Sequence, residues 1–437
     1  MKYRLIAVIV LLSMLLAACS AAQPTTAPVA STQAVGAKAS GKTTQITYMM
    51  WGAPEELEVW KKVVSDFETA NPDIKVNVEV SDWDSYWTKL NTLTGAGTPP
   101  DVFAMDAPLY LDWQSRDVLL NLKPYIDKTP GMLDNFYPQT LTAYKLADGS
   151  YYGLPRDFQT IVMFYNKDMF DAAKEPYPSA DWTMDDLRAV AKRLTKDNNG
   201  DGKTDQYGFA PDLWDMELFW SEAIWANGGN IISDDHTKTL IGEPAARKAW
   251  ELLDAMIKDG SVPKPSTSGE YGGDLFQSKI AAIMPMGHWA VPGYVQAGLK
   301  MGVAPMPKGP AGRFTSVNSA GFVVAKATKN PDAAWRFIQY ATSEPAQKRL
   351  AELGFAIPVL KKVAESDAYL KQSGDLDQKL FLDALQYAHM KPVFRGYEEW
   401  ASVVGDGLRP AWDGEAALGP TLDQIVPKAD EVLAAQK

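Results

Sequence analysis

The fourteen tryptophans are the residues of this 437-residue chain best suited to binding chemistry. Tryptophan offers a broad apolar face and one N–H donor, so it can fill a core or stack on a flat ligand surface such as the C–H face of a sugar ring. The catalytic spacings G-x-S-x-G and H-E-x-x-H are absent from the sequence. His236, His288 and His389 also lack the spacing of metal ligands. These residue types favour binding over catalysis.

One acidic segment has the spacing of a cation-binding loop. Residues 197–205 read DNNGDGKTD and fit the pattern D-x-[DN]-x-[DN]-G. The predicted oxygen ligands, including one backbone carbonyl at Lys203, come from Asp197, Asn199, Asp201, Lys203 and Asp205. Gly208 stands at loop position 12, where an EF-hand has a bidentate Glu. We therefore predict a structural Ca²⁺ site, with a metal-free acidic turn as the alternative.

The N-terminus has the features of an exported lipoprotein. Two cations precede an apolar run at 5–16 that is too short to span a bilayer comfortably. Residues 1–19 end in LAAC, which resembles the lipobox of bacterial lipoproteins. The resemblance implies that 1–19 is a lipoprotein signal peptide and that a lipid on Cys19 attaches the protein to the cell membrane. An ordinary cleaved signal is the alternative. Cys19 is the only cysteine, so it is available for an anchor and forms no disulfide within the chain.

The composition separates a tether from a large folded part. Residues 20–44 are Ala, Thr, Ser and Pro with almost no large apolar side chain, which predicts a flexible tether. The remaining residues, 45–437, exceed the size at which one core keeps growing, so two lobes are expected. A net charge of −11 argues against nucleic acid as a partner.

Strand and helix patterns alternate along the folded part. Leu57, Trp60, Val63 and Phe67, for example, recur at helical spacing. The predicted strands are 46–51, 74–80, 101–105 and 160–166. The predicted helices are 55–70, 86–93, 184–195, 217–226, 244–258, 331–342, 345–353, 376–390, 398–409 and 421–434. This alternation indicates an α/β protein with a largely parallel sheet in its first lobe.

Short motifs recur in order along the chain. They are 97–103 (GTPPDVF), 152–155 (YGLP) with 165–170 (YNKDMF), 182–187 (WTMDDL), 280–289 (IAAIMPMGHW), 303–310 (VAPMPKGP) and 330–347 (NPDAAWRFIQYATSEPAQ). Together they resemble the motifs of the solute-binding proteins of bacterial sugar-uptake ABC transporters, in the maltose-binding and multiple-sugar-binding branch. The aromatic residue of 182–187 is displaced by one position from the family pattern.

The resemblance implies an α/β, two-lobed periplasmic-binding-protein fold with a hinge and an interlobe ligand cleft. Lobe one would comprise 45–155 plus 313–357, and lobe two 156–312 plus 358–437. The implied function is capture of a sugar or oligosaccharide outside the cytoplasmic membrane, followed by delivery to the permease subunits of an ABC importer. We expect a monomer.

Four candidate ligand contacts follow from position. Trp51 ends the first predicted strand, and Asp106 directly follows the strand at 101–105. Asp157 and Gln159 follow the first predicted crossing between the lobes. Polar side chains of this kind can discriminate hydroxyl patterns, whereas stacking alone cannot. Solvated loop positions are the alternative for the polar residues.

Further candidates follow from the resemblance. Trp289 occupies the family's G-x-W tryptophan, which stacks on sugar from lobe two. Trp400, with Tyr397 as a companion, falls where relatives carry another stacking aromatic. Trp214 and Glu217 precede the 227–229 turn in a segment that contacts ligand in relatives, and Trp220 is a third residue of that segment. Packing in the core is the alternative for each aromatic residue.

Two other functions remain open from the sequence. An exported glycosidase would need a pair of carboxylates about 5–10 Å apart, and acidic residues are plentiful. The same fold could also bind a non-sugar solute such as a polyamine, a metal chelate or a peptide.

Overall fold

The strands of the protein form two separate sheets. The computed structural model describes residues 43–270 and 274–436. Its strands are β1 Thr44–Trp51, β2 Ile74–Ser81, β3 Val102–Asp106, β4 Gly153–Thr160, β5 Val162–Asn166, β6 Ile283–Met286, β7 Met301–Ala304, β8 Thr315–Val324, β9 Ile357–Pro358 and β10 Ala388–Met390. In the described chain, a large sheet has the order β2-β1-β3-β8-β4-β9 with β10 paired to β8, and a small sheet has the order β6-β5-β7.

Helices cover both sheets. They are α1 Pro54–Ala70, α2 Trp83–Gly95, α3 Tyr110–Ser115, α4 Lys123–Ile126, α5 Pro138–Thr142, α6 Lys167–Ala173, α7 Met184–Leu194, α8 Trp220–Ala226, α9 Pro244–Lys258, α10 Pro265–Glu270, α11 Val291–Gln296, α12 Pro331–Ala341, α13 Glu344–Glu352, α14 Lys361–Ala364, α15 Asp367–Leu370, α16 Lys379–Asp383, α17 Tyr397–Trp412 and α18 Leu418–Ala435. Short 3₁₀ turns lie at Ala107–Leu109, Met216–Leu218, His288–Ala290 and Ala384–Tyr387. Within the described residues, no helix is long and apolar enough to cross a membrane.

Helix α1 shows how the sequence specifies an element. Pro54 occupies the first turn, where its missing N–H costs no hydrogen bond, and Glu56 accepts the Ala53 N–H at 3.2 Å. Trp60 and Phe67 are fully buried, so one face of the helix packs on the large sheet.

The large sheet is mixed in direction. β1 pairs parallel with β2 and β3, whereas β8 runs antiparallel to both β3 and β4. The expectation of a largely parallel sheet is right for the first three strands and wrong for the whole sheet, because the late strand β8 enters between β3 and β4. The small sheet is antiparallel throughout.

The chain passes between the two sheets at two places near the predicted lobe boundaries. β4 ends at Thr160 in the large sheet, and β5 begins at Val162 in the small sheet. The return lies between β7 and β8. Pro358 pairs with Asp157 of β4, so strands of the large sheet continue past residue 357.

Two local predictions are corrected. The helix predicted over 376–390 ends earlier, because 388–390 form β10, which pairs with the first three residues of β8. Thr44, predicted to end the tether, begins β1. The signal peptide, Cys19 and tether residues 20–42 lie outside the described residues.

Candidate ligand-binding cleft

A cleft of about 530 Å³ lies between the lobe that contains the large sheet and the lobe that contains the small sheet. Both lobes belong to one compact unit. From the large-sheet side it receives Trp51 at the end of β1, Asp106 at the end of β3 and β4 residues. From the small-sheet side it receives Trp289, which follows β6. Strand carboxyl ends and their loops thus bring distant residues to one crevice, as in other open α/β sheets.

Seven of the nine predicted ligand contacts line this cleft. They are Trp51, Asp106, Asp157, Gln159, Trp214, Glu217 and Trp289. Tyr397 lines an adjoining cavity of about 320 Å³, which shares Trp83, Asp106 and Trp214 with the cleft.

Trp400 is a correction, because it lies in the core. Its side chain is fully buried, its indole N–H donates to Thr239 Oγ1 at 2.9 Å, and Phe394 packs against its ring. Trp400 faces inward from α17 and cannot meet a ligand in the cleft.

The exposed tryptophans are the ones at the cleft. Trp83, Trp214 and Trp289 are 44%, 52% and 37% exposed, whereas other tryptophans such as Trp60 are fully buried. Trp51 is half-buried, and its ring contacts that of Trp83 at 5.0 Å in an edge-on arrangement. Large apolar side chains that stay exposed in a concave site are available to stack on a ligand.

A buried arginine supports the Trp51 wall. Arg156 donates from Nε to Asp157 at 2.6 Å and from Nη1 to the Tyr48 hydroxyl at 3.1 Å. Its guanidinium carbon lies 5.5 Å from the Trp51 ring centre and 5.1 Å from that of Phe355, within cation–π range of both. The register of β4 on β8 shifts between Pro155 and Asp157, and this irregularity contains Arg156.

A buried lysine lies among carboxylates of the cleft. Lys391 Nζ lies 3.1 Å from Asp215 Oδ1 and 3.6 Å from Glu217 Oε1. Burial nevertheless raises the pKa of Glu217 to about 8, with repulsion from Asp215 and Asp106 adding to burial and the lysine opposing it. Within the described chain, Glu217 Oε2 has no hydrogen-bond partner.

Two more polar groups line the same space. Asn318 Nδ2 donates to Asp106 Oδ1 at 2.8 Å, and burial raises the pKa of Asp106 to about 6. Gln159 is nine-tenths buried, and its Oε1 has no partner among the described residues. These polar side chains thus lie in the same cleft as the exposed tryptophans.

Sequence reasoning missed several lining residues. Arg156, Lys391, Asn318 and Asp215 all line the cleft. Arg156 is next to the predicted Asp157, and Lys391 opens the segment chosen for Tyr397 and Trp400. The sequence could have indicated these residues through a charge close to a predicted ligand contact. That the charge is buried can be seen only in the folded structure.

The predicted calcium loop is closed by its own hydrogen bonds. Asp197 accepts the N–H groups of Gly200 and Gly202 at 2.7 and 2.8 Å, and Asp205 accepts that of Asn198 at 2.7 Å. No group of three His, Cys, Asp or Glu side chains in 43–270 and 274–436 converges in a way that could hold a metal ion. Calcium therefore stays a prediction.

His288 is structural. Its ring is buried, with Nε2 2.7 Å from Gln378 Oε1, and packs on Tyr369 and Phe381 at 5.2 Å each. Burial lowers the pKa of His288 to about 4, so the ring is neutral at physiological pH.

Comparisons with known proteins agree with this architecture. The maltotriose-binding protein of Pyrococcus abyssi is 28% identical over 351 residues, which cover 78% of this chain and 71% of that protein. The galactooligosaccharide-binding protein of Bacillus subtilis is 24% identical over 425 residues, 94% of each chain. A solved ABC substrate-binding protein from Listeria monocytogenes in complex with cycloalternan has a TM-score of 0.82 and 27% identity, over 90% of this chain and 99% of that one.

The family follows from these findings. The model of the family described as bacterial extracellular solute-binding protein matches residues 62–374, well over half of the chain. The α/β architecture is shared with the solved Listeria monocytogenes protein. The protein belongs to the bacterial extracellular solute-binding protein family.

Proposed function

We propose that this protein captures an oligosaccharide in the cleft between its lobes and delivers it to the permease of an ABC importer. The observation that carries the proposal is the cleft itself, which exposed tryptophans line together with polar side chains such as Asp106, Gln159 and Asn318. A sugar ring matches both features of the cleft, because its apolar C–H face can stack on tryptophan and its hydroxyl groups can hydrogen-bond to polar side chains. The named relatives that bind maltotriose, galactooligosaccharide and cycloalternan support the same ligand class.

Capture would work by lobe closure. Trp51, Asp106 and Gln159 approach from the large-sheet lobe, and Trp214, Glu217 and Trp289 from the other. A ligand that touches both sets binds the closed form more tightly than the open form, and only such a difference shifts the equilibrium. Closure would then present a distinct surface to the permease.

The cellular placement completes the proposal. The protein would act as a monomer outside the cytoplasmic membrane, attached by a lipid on Cys19. Labelling cells with a palmitate analogue should mark the wild-type protein and leave a Cys19→Ser variant unmarked and released. Equal labelling of both proteins would rule out Cys19 as the anchor.

A thermal-shift screen of the purified protein against mono- and oligosaccharides tests the function. A saccharide at 100 times its dissociation constant should stabilise the protein by about 2.7 kcal/mol. Chromatography of the recovered sugar separates the alternatives: intact sugar supports capture, and cleaved sugar would show a glycosidase. Absence of any shift with sugars, together with a shift for a polyamine, metal chelate or peptide, would identify a non-sugar solute instead.

A further inference from the structure

Trp289 has an unusual support beneath its ring. A Cβ atom built on Gly287 would lie 1.8 Å from Cζ3 and 2.2 Å from Cε3 of Trp289. Ordinary contact begins near 3.4 Å. The indole therefore lies directly against the Gly287 backbone, in space that the side chain of any larger residue at 287 would fill.

The backbone does not explain the glycine. Gly287 has φ −87° and ψ 173°, an extended conformation open to any residue. The left-handed conformations that favour glycine occur elsewhere in the chain. What position 287 requires is space, and Trp289 occupies that space.

The neighbouring residue fixes the segment from the opposite side. His288 is buried, contacts Gln378 and packs on Phe381, so the backbone between Gly287 and Trp289 is anchored to the core. The indole itself has no ring–ring contact and no hydrogen bond recorded among the described residues. The Gly287 backbone is therefore a close contact that can limit the orientation of this ring.

We propose that Gly287 is a positioning residue that holds the Trp289 ring in the orientation in which it meets the ligand. The Cε3 and Cζ3 atoms of the indole lie against the glycine, and Trp289 also lines the cleft. Binding sites lose affinity when a contacting group moves by more than about 0.5 Å, and an added methyl group at 287 must move this ring further than that. The role in affinity rests on the proposed function, whereas the role in ring orientation does not.

The first test needs no ligand. Gly287→Ala is compared with Gly95→Ala, because a Cβ atom at Gly95 meets nothing within 4 Å. Oxidation of tryptophans by N-bromosuccinimide, followed site by site with peptide mass spectrometry, reports the exposure of each indole. We expect Gly287→Ala to change the oxidation rate of Trp289 at least twofold and to leave Trp83 and Trp214 unchanged, with no change in Gly95→Ala. An unchanged rate at Trp289 would overturn the proposal.

The second test uses the saccharide that gives the largest shift in the screen. Gly287→Ala should weaken its binding about tenfold, close to the effect of Trp289→Ala, as expected for loss of a well-packed aromatic contact. In a Trp289→Ala background, Gly287→Ala should weaken saccharide binding by less than twofold, because Gly287 acts through the Trp289 ring. A full tenfold loss in that background would overturn the proposal. If wild-type protein binds none of the sugars, the proposed function fails, and the oxidation result decides on Gly287 alone.

Discussion

At the scale of single residues, the cleft depends on charges that are buried in pairs. Arg156 holds Asp157 and lies against Trp51, while Lys391 pairs with Asp215. Buried ion pairs contribute little net stability, but removing one partner leaves an uncompensated charge. We therefore infer that these pairs serve the shape of the binding surface.

Arg156 provides a test of this view. Arg156→Met should destabilise the protein by about 3–5 kcal/mol in urea unfolding, because Asp157 remains buried without its partner. The double variant Arg156→Met with Asp157→Asn should recover much of that loss, since no unpaired charge remains. Additive losses in the double variant would contradict the pairing argument.

Glu217 predicts a dependence of stability on pH. Burial raises its pKa from 4.5 to about 8, so between these values the folded protein holds a proton that the unfolded chain has released. The stability that the protonated Glu217 side chain contributes to the folded protein is fully present below pH 4.5 and is lost as the pH rises through 8. Between pH 5 and pH 8, the free energy of unfolding measured in urea should therefore fall in both proteins. The fall should be smaller by roughly 1–3 kcal/mol in Glu217→Gln than in wild type.

The control is Glu398→Gln, an exposed residue at the rim of the adjoining cavity. It should keep the wild-type pH dependence. Equal slopes for wild type and Glu217→Gln would show that Glu217 is ionised in the folded protein across this range.

At the scale of elements, long amphipathic helices can be predicted from the sequence, whereas strands that join a sheet from a distant part of the chain cannot. The helix predicted at 244–258 coincides with α9, because its apolar spacing and its initial proline are local signals. β10 was read as helix, since three residues on a sheet edge leave no periodic pattern. The antiparallel entry of β8 depends on pairing with strands more than 150 residues earlier, which local patterns do not encode.

The same limit applies to the candidate site. Trp289 and Trp400 have the same chemistry and similar motif support, yet one is exposed in the cleft and the other is buried against Thr239. Strand ends are more informative, because β1 and β3 must finish at a common edge, and Trp51 and Asp106 both line the cleft there.

The loop at 197–205 carries a prediction at this scale. Calcium at 100 times its dissociation constant should stabilise the wild-type protein by about 2.7 kcal/mol, visible as a higher melting temperature that EDTA reverses. Asp201→Asn removes a predicted ligand charge and should reduce the response, whereas Asp235→Asn, in a different exposed turn, should not. An identical melting temperature in calcium and in EDTA would favour the metal-free turn.

At the scale of the whole molecule, the surface of the cleft is divided between the two lobes, so the proposed ligand would contact both. Trp51 belongs to the large-sheet lobe and Trp289 follows a strand of the small sheet, and neither wall alone encloses a ligand. In the proposed mechanism, closure would link the affinity of the cleft to the shape that a permease recognises.

Titration calorimetry of the saccharide identified in the screen against wild type, Trp51→Ala and Trp289→Ala tests this account most directly. We expect each substitution to weaken binding at least tenfold with the sugar recovered intact, because a contact is lost from each lobe. Wild-type affinity in both variants would contradict a ligand held between these two walls.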